Sequence, residues 1–143
     1  GDFYMQQACL LENKEMIQFL LDKNCSLDLV DISKIISEKT FPFIQFLIEK
    51  GFDLSCSKNP TIEPPIVKLV RSGNVSMIEK FITYGAILNN EIILKYKCLE
   101  ISLNSENYLL FNYLMKFNPE LNQEISTGLL RIVFDNIINK YRS

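Results

Sequence analysis

Residues 16–28 of the chain read MIQFLLDKNCSLD, and residues 43–55 read FIQFLIEKGFDLS. The two stretches share their apolar spacing and the polar break that follows it. A single helical pair cannot bury its apolar face alone, whereas stacked copies of one pair can. A sequence pattern repeated at this distance therefore predicts a stack of similar helical units.

Two further windows align with the first two without gaps. The four are LLENKEMIQFLLDKNCSLD at 10–28, SEKTFPFIQFLIEKGFDLS at 37–55, RSGNVSMIEKFITYGAILN at 71–89 and NSENYLLFNYLMKFNPELN at 104–122. They start 27, 34 and 33 residues apart. We name them windows 1 to 4 and count positions from the first residue of each.

One apolar stripe recurs in every window at the i, i+3, i+4 spacing of a helical face. It comprises Ile17, Leu20 and Leu21, then Ile44, Leu47 and Ile48, then Ile78, Phe81 and Ile82, and finally Phe111, Leu114 and Met115. A second stripe beside it comprises Met16, Phe19, Phe43, Phe46, Met77, Tyr84, Leu110, Tyr113 and Phe117. A helix with two such stripes must be covered on more than one side, as inside a stack.

The ends of these helices are also marked. Gly51 and Gly85 follow the last helical turn, where a left-handed C-cap is expected, and Asn24 and Asn118 take the same place in the other windows. Shorter helical segments precede three windows, namely FYMQQAC at 3–9, PPIVKLV at 64–70 and KCLEISL at 97–103. The proline pair of the second segment marks a helix start.

Residues 64–89, PPIVKLVRSGNVSMIEKFITYGAILN, resemble one ankyrin repeat. The matching residues are Pro65, Ile66, Ser72, Gly73, Asn74, Gly85, Ala86 and Asn89, and the similarity extends in register over residues 3–122. The resemblance implies an all-α fold, an ankyrin-like helical-repeat solenoid of about four helix pairs plus a terminal helix. It implies one domain over 1–143, with repeats at 3–28, 30–55, 64–89 and 97–122 and a terminal helix at 127–141.

Two departures accompany the resemblance. The chain contains no histidine and no repeat keeps the Thr or His of the family's TPLH corner. The 27-residue spacing removes the residues that would form the protruding β-hairpin finger between the first two repeats. A composition rich in Asn, Ile, Lys and Phe resembles ankyrin repeats of large DNA viruses, intracellular bacteria and protists.

The terminal segment predicts an amphipathic helix. Its apolar stripe comprises Leu130, Val133, Phe134, Ile137, Ile138 and Tyr141, and its polar face comprises Arg131, Asp135, Asn139 and Lys140. A polar cap of the stack and a fifth repeat cut short are both compatible with this pattern. At the other end, Phe3, Tyr4 and Met5 open the first helix with nothing before them, as expected of a fragment.

Composition argues against several function classes. A formal net charge of -2 with interspersed Lys and Glu does not favour nucleic acid. Apolar runs are too short to cross a membrane. Without histidine there is no Ser-His or Cys-His pair and no imidazole metal ligand, and no Gly-rich phosphate loop is present. We therefore expect no catalytic residues, metal, cofactor or small-molecule substrate.

Four dispersed cysteines are expected to be reduced thiols in the cytoplasm.

The remaining classes are a non-enzymatic protein–protein interaction module and, as the alternative, a structural or regulatory segment of a larger multidomain protein. If the chain comes from a virus or pathogen, the resemblance implies a host protein as partner, in the host cytoplasm. The partner's identity does not follow from the sequence.

The resemblance implies where such a partner binds, namely the hairpin fingers and the exposed turn after the first helix of each pair. Carried over by position, these places are Asn59, Thr61, Glu63, Arg71, Ser72, Ile93, Leu94, Tyr96, Asn104 and Ser105. Tyr96, Leu94 and Arg71 are the expected energetic anchors. An alternative stays open for NEIILKY, in which residues 91–103 form one long helix with Ile92, Tyr96, Leu99 and Leu103 in the core.

Overall fold

The computed structural model describes residues 2–142, which form nine α-helices and no strand. The helices are α1 Asp2–Leu10, α2 Lys14–Asp22, α3 Phe41–Glu49, α4 Pro65–Ser72, α5 Val75–Thr83, α6 Asn90–Lys95, α7 Cys98–Asn104, α8 Tyr108–Met115 and α9 Gln123–Arg142. The expected all-α class is confirmed for these residues.

The chain divides into two compact units. Unit 1 contains the residues up to Lys68 together with Lys80–Ile87, and unit 2 contains Leu69–Glu79 together with the residues from Leu88 onward. The fully buried large side chains of unit 1 are Met5, Ile17, Ile32, Ile44, Leu47, Ile66 and Phe81. Those of unit 2 are Ile78, Ile93, Leu99, Leu110 and Leu114. Each unit therefore has a core of its own.

The first apolar stripe is buried in the aligned register. Positions 8 and 11 of the windows hold Ile17, Leu20, Ile44, Leu47, Ile78, Phe81 and Leu114, all buried, with Phe111 half-buried. Position 12 holds Leu21, Ile48, Ile82 and Met115, all half-buried. Equivalent positions thus meet equivalent environments in α2, α3, α5 and α8.

The predicted left-handed C-caps are confirmed in all four windows. The φ angle at position 15 is 64° at Asn24, 103° at Gly51, 110° at Gly85 and 51° at Asn118. In windows 1 to 3 the amide at position 16 donates to the carbonyl at position 11, from Cys25 to Leu20 at 3.0 Å, from Phe52 to Leu47 at 2.9 Å and from Ala86 to Phe81 at 2.9 Å. This backward bond satisfies a carbonyl that the helix end leaves unpaired.

A second repeated turn lies before the window helices, and sequence reasoning missed it. Position 3 has a positive φ in windows 1, 3 and 4, with 52° at Glu12, 76° at Gly73 and 54° at Glu106. Position 4 is then an asparagine whose side-chain oxygen accepts from the amide at position 7, in Asn13 at 3.0 Å, Asn74 at 3.1 Å and Asn107 at 3.0 Å. An asparagine N-cap holds the start of each of these helices.

Window 2 is the exception to the paired arrangement. Residues 30–40 form turns and no helix, so α3 lacks the shorter helix expected before it, and three helix pairs are present instead of four. Only residues 29–36 separate windows 1 and 2, which leaves too little chain for a helix and two connections. The Gln6 side chain pairs with the backbone of Asp31 in both directions, at 2.8 and 2.9 Å, and Ile32 and Ile36 are buried.

Successive windows contact each other within unit 1 in a recurring manner. The Lys14 ammonium of window 1 lies 5.2 Å from the ring centroid of Phe46 in window 2. Phe41, also at position 5, lies 5.5 Å from Phe81 and 5.2 Å from Tyr84 in window 3. The first turn of one window helix therefore covers positions 10 to 14 of the next.

Two apolar surfaces are exposed where the sequence predicted cover. On α2, Met16 and Phe19 of the second stripe are 45% and 56% exposed. On α9, which begins at Gln123 and so is longer than the expected 127–141, Leu130 and Phe134 of the apolar stripe are exposed and Leu129 is the buried residue. The expectation that the second stripe is covered is wrong at Met16 and Phe19, and also at Tyr84, which is 40% exposed.

Phe81→Ala or Leu47→Ala should lower the free energy of unfolding by about 2–5 kcal/mol, because each side chain is fully buried at position 11. Urea denaturation followed by circular dichroism measures the change. Leu109→Ala, at a side chain 74% exposed, is the control and should change stability little. An unchanged unfolding free energy in Phe81→Ala would refute the aligned register.

Gly73→Ala should destabilise the protein, because φ is 76° and an added Cβ would lie 2.7 Å from the Asn107 amide nitrogen. Gly128→Ala is the matched control, since it lies within α9 with nothing within 4 Å, and should stabilise by about 1 kcal/mol. Thermal melts of both variants decide the matter. Equal shifts in the same direction would show that the turn at position 3 is not under steric constraint.

Candidate interaction surface

The predicted turn residues after α4 and α7 are exposed in equivalent places. Arg71 and Asn104 occupy position 1, Ser72 and Ser105 occupy position 2, and all four are exposed. The Ser72 hydroxyl donates to the carbonyl of Leu69 at 2.7 Å, and that of Ser105 donates to Ile101 at 2.8 Å. These hydroxyls donate hydrogen bonds to carbonyls at the helix ends. The Arg71 and Asn104 side chains are exposed and make the surface of the turn polar.

The predicted finger at 59–63 is only partly a surface. Thr61 is exposed and Glu63 is half-buried, but Asn59 is 8% exposed, and its side-chain oxygen accepts the Thr61 hydroxyl at 2.8 Å. Asn59 is therefore buried rather than presented on a finger, and its contact with a partner stays a prediction. Its side chain is used to shape the loop, and the window pattern gave no sign of this.

The start of the same loop is held by Asp53. Its carboxylate accepts the hydroxyls of Ser55 at 2.6 Å and Ser57 at 2.7 Å. These hydrogen bonds, that of Ser55 first, lower the pKa of Asp53 below its ordinary value despite the opposing effect of burial. The segment that leads to Asn59 is thus a hydrogen-bonded turn rather than a free finger.

At the second predicted finger the chain forms a helix. Asn89 caps α6 by accepting the Ile92 amide at 3.0 Å, and Ile93 is fully buried. Ile93 therefore faces the core rather than an exposed finger, and its contact with a partner stays a prediction. Leu94 and Tyr96 are half-buried, so that only part of each is available to a partner.

The alternative of one helix over 91–103 is also wrong. Lys97 has a φ of 55° and separates α6 from α7. Leu99 and Leu103 are buried as that alternative expected, whereas Ile92 and Tyr96 are only half-buried. Two short helices that meet at a left-handed residue satisfy the apolar pattern without a continuous axis.

A polar cleft adjoins the predicted residues Asn104 and Ser105. It measures about 350 Å³ and is lined by Asn104, Ser105, Glu106, Asn136, Asn139 and Lys140. The Asn136 side chain donates to the Leu103 carbonyl at 3.0 Å, and the Lys140 ammonium lies 3.6 Å from the Glu106 carboxylate. Sequence reasoning placed Asn139 and Lys140 on a polar face of the terminal helix, but it did not bring that face to the turn after α7.

Three of the four thiols, those of Cys9, Cys56 and Cys98, lack the features of nucleophiles. Burial raises the pKa of Cys9 to about 11, and burial followed by the charges of Asp53 and Asp31 raises that of Cys56 to about 11. Both are protonated at neutral pH, and a protonated thiol is a poor nucleophile and a poor metal ligand. Cys98 is fully buried. Among residues 2–142 no group of three or more His, Cys, Asp or Glu is placed to hold a metal ion.

None of the helices among residues 2–142 combines the length and the apolar character that a crossing of the bilayer requires.

Comparison of the chain with protein-family models, with curated proteins and with solved structures finds no significant match. The resemblance to ankyrin repeats therefore depends on the residues quoted above and on the turns that recur between them.

Ile93→Ala should lower the unfolding free energy by about 2–5 kcal/mol, because the side chain is buried in unit 2. Arg71→Ala, at an exposed turn residue, should change it by less than about 0.5 kcal/mol. Chemical denaturation of both variants measures the difference. Similar small effects would return Ile93 to the surface and restore the finger interpretation.

Proposed function

We propose that the chain is a non-enzymatic protein–protein interaction module built as a divergent, ankyrin-like helical-repeat solenoid. The observation that supports it most is the recurrence of one turn at position 15 in all four windows and of another at positions 3 and 4 in three of them. Repeats of this kind present a row of equivalent exposed positions, and partners bind along such rows.

The proposed partner surface combines the exposed turn residues with the adjoining cleft. Within unit 2 it comprises Arg71, Ser72, Asn104, Ser105 and the cleft residues Asn136 and Asn139, with the accessible parts of Leu94 and Tyr96. The predicted residues Thr61, which is exposed, and Glu63, which is half-buried, lie in unit 1. Asparagine side chains offer a donor and an acceptor in the arrangement of a peptide group, which suits a polypeptide ligand. Arg71 and Tyr96 are residue types in which interface energy concentrates.

The alternative function, a structural or regulatory segment of a larger protein, is supported by a different observation. Apolar side chains of α1, α2 and α9 are exposed in contiguous sets. Surfaces of that kind are normally covered by other protein. The four free cysteines support a reducing compartment for either function, the cytoplasm of the cell or of a host.

Affinity capture with the chain as bait, followed by mass spectrometry, tests the proposal. A specific partner should bind with a dissociation constant that rises on the order of tenfold in Arg71→Ala or Asn104→Ala, with helicity and melting temperature retained. Lys34→Ala, an exposed change outside the surface, is the matched control. If the affinity of the partner is unchanged in the turn variants, the binding site lies elsewhere on the chain. If the chain captures no protein, the structural alternative is favoured.

A further inference from the structure

The turn between α4 and α5 is joined to the start of α8 by one asparagine side chain. The Asn107 oxygen accepts the Leu110 amide at 3.0 Å, which caps α8, and the Asn107 amide nitrogen donates to the Gly73 carbonyl at 3.2 Å. Gly73 and Asn107 both lie in unit 2 and are 34 residues apart in the chain. This side chain therefore caps its own helix and also links two consecutive windows.

Gly73 leaves room for this link. The same position 3 is Glu12 with a φ of 52° in window 1 and Glu106 with a φ of 54° in window 4, so the turn accepts residues with side chains. At Gly73 φ is 76°, and an added Cβ would lie 2.7 Å from the Asn107 amide nitrogen. A side chain at residue 73 would therefore displace the Asn107 amide from the carbonyl that it binds.

The linked turn carries two residues of the proposed partner surface. Arg71 and Ser72 are exposed and directly precede Gly73. The Gly73 amide donates to two carbonyls of α4, at 3.0 and 3.1 Å, while its carbonyl accepts the Asn107 amide. The turn is thus bonded to its own helix on one side and to the next window on the other.

The equivalent turn of window 4 directly precedes Asn107. Its exposed residues Asn104 and Ser105 take positions 1 and 2, as Arg71 and Ser72 do in window 3. Asn107 follows the first of these turns within three residues and is hydrogen-bonded to the second. The hydrogen bond therefore holds the two polar turns beside each other.

A second asparagine amide acts in the same way at the cleft. Asn136 on α9 donates to the Leu103 carbonyl at 3.0 Å, across 33 residues of chain. Leu103 immediately precedes Asn104, so this bond holds the cleft side of α9 at the turn of window 4. Two amide donors, each bonded to a backbone carbonyl of an earlier segment, thus join the three segments of the surface in order.

We propose that Asn107 is a positioning residue of the partner surface. Its amide holds the Arg71–Ser72 turn in register with the Asn104–Ser105 turn, so that one extended polypeptide segment of the partner contacts both turns. A spacing that is fixed before binding spares the complex the cost of ordering the turn. This inference rests on the proposed partner-binding function and specifies the residue that spaces its contacts.

Amide hydrogen exchange followed by NMR tests the link without a partner. Asn107→Ser and Asn107→Asp keep an oxygen that can cap α8 but remove the amide that donates to Gly73. The Gly73 amide should exchange on the order of tenfold faster in both variants, while the amides of α8 keep their protection. Unchanged exchange at Gly73 in both variants would overturn the proposal.

Ile78→Val is the control for a general loss of stability in unit 2. Ile78 is fully buried, and the change removes one methyl group and no side-chain hydrogen bond. Exchange at Gly73 should not increase in this variant relative to the other amides of unit 2. If it increases as much as in Asn107→Ser, the faster exchange reflects stability alone and the proposal fails.

A peptide selected by phage display on the unaltered chain is the probe for binding. We expect peptides whose dissociation constant rises in both Arg71→Ala and Asn104→Ala, and Asn107→Ser should raise it on the order of tenfold as well. The effect of Asn107→Ser should be smaller when Arg71 is already alanine, because the contact that Asn107 positions is then absent. Ile78→Val should bind the peptide like the unaltered chain.

The outcomes distinguish this inference from the proposed function. If peptides depend on both turns but bind Asn107→Ser with unchanged affinity, the positioning role is overturned and the proposed surface stands. If they depend on one turn only, no single segment spans the two and the inference is again overturned. If they depend on neither turn, the surface itself is misplaced and both fail. Should Asn107→Ser lose helicity, Asn107→Asp takes its place in both measurements.

Discussion

The window helices are too short to be stable by themselves, and the rest of the structure depends on how their apolar positions are buried. The helices α2, α3 and α5 have nine residues each and α8 has eight. Isolated helices of this length are marginal in water, because nucleation is unfavourable and few hydrogen bonds follow it. Stability must come from side chains such as Leu47 and Phe81 at position 11, which are fully buried. The turns at the two ends of each window helix help to place the side chain at position 11 against a neighbouring element.

The turns at both ends of the window helices serve this purpose. At position 15 a left-handed residue ends the helix, and in windows 1 to 3 the amide that follows donates to the carbonyl of position 11, the residue whose side chain is buried. At position 4 an asparagine fixes the start in three windows. In window 2 Thr40 takes the position and makes no side-chain cap. The helix nevertheless forms there, since Phe41, Phe43 and Ile44 are buried and supply what the cap does not.

Prediction from sequence succeeded where one residue type has one structural meaning. Glycine and asparagine after an apolar run gave the left-handed caps, and the i, i+3, i+4 spacing gave the buried positions. It failed where the exposure of a residue depends on contacts with its neighbours that the residue type does not specify. Asn59 reads as a polar loop residue, but the Thr61 hydroxyl and the turn around it draw it inward. Ile93 is one of three consecutive apolar residues, and the apolar pattern alone does not indicate which of the three side chains faces the core.

The candidate surface was predicted in part, for the same physical reason. Position within a window fixed the exposure of Arg71, Ser72, Asn104 and Ser105, because a helix end after a buried stripe must face solvent. The cleft beside Asn104 needed a long-range fact, the hydrogen bond from Asn136 to Leu103 that holds α9 near that turn. No local pattern in either segment contains it. A surface formed by one repeat can be predicted from the sequence of that repeat. A surface formed by two elements can be identified only once the packing of both elements is known.

The same distinction explains why apolar side chains remain exposed on α2 and α9. Among the described residues of unit 1, an apolar side chain of a window helix is covered where a residue of another window reaches it. Phe46 has Lys14 beside it, whereas Phe19 at the same position has none from another window among the described residues. On α9, Leu129 is buried and Asn136 donates to the Leu103 carbonyl, whereas Leu130, Phe134 and Tyr141 on another side of the helix are exposed. Among the described residues an apolar position is therefore covered where a neighbouring element of the same unit reaches it, and the i, i+3, i+4 spacing that predicts an apolar face does not by itself say where that neighbour lies.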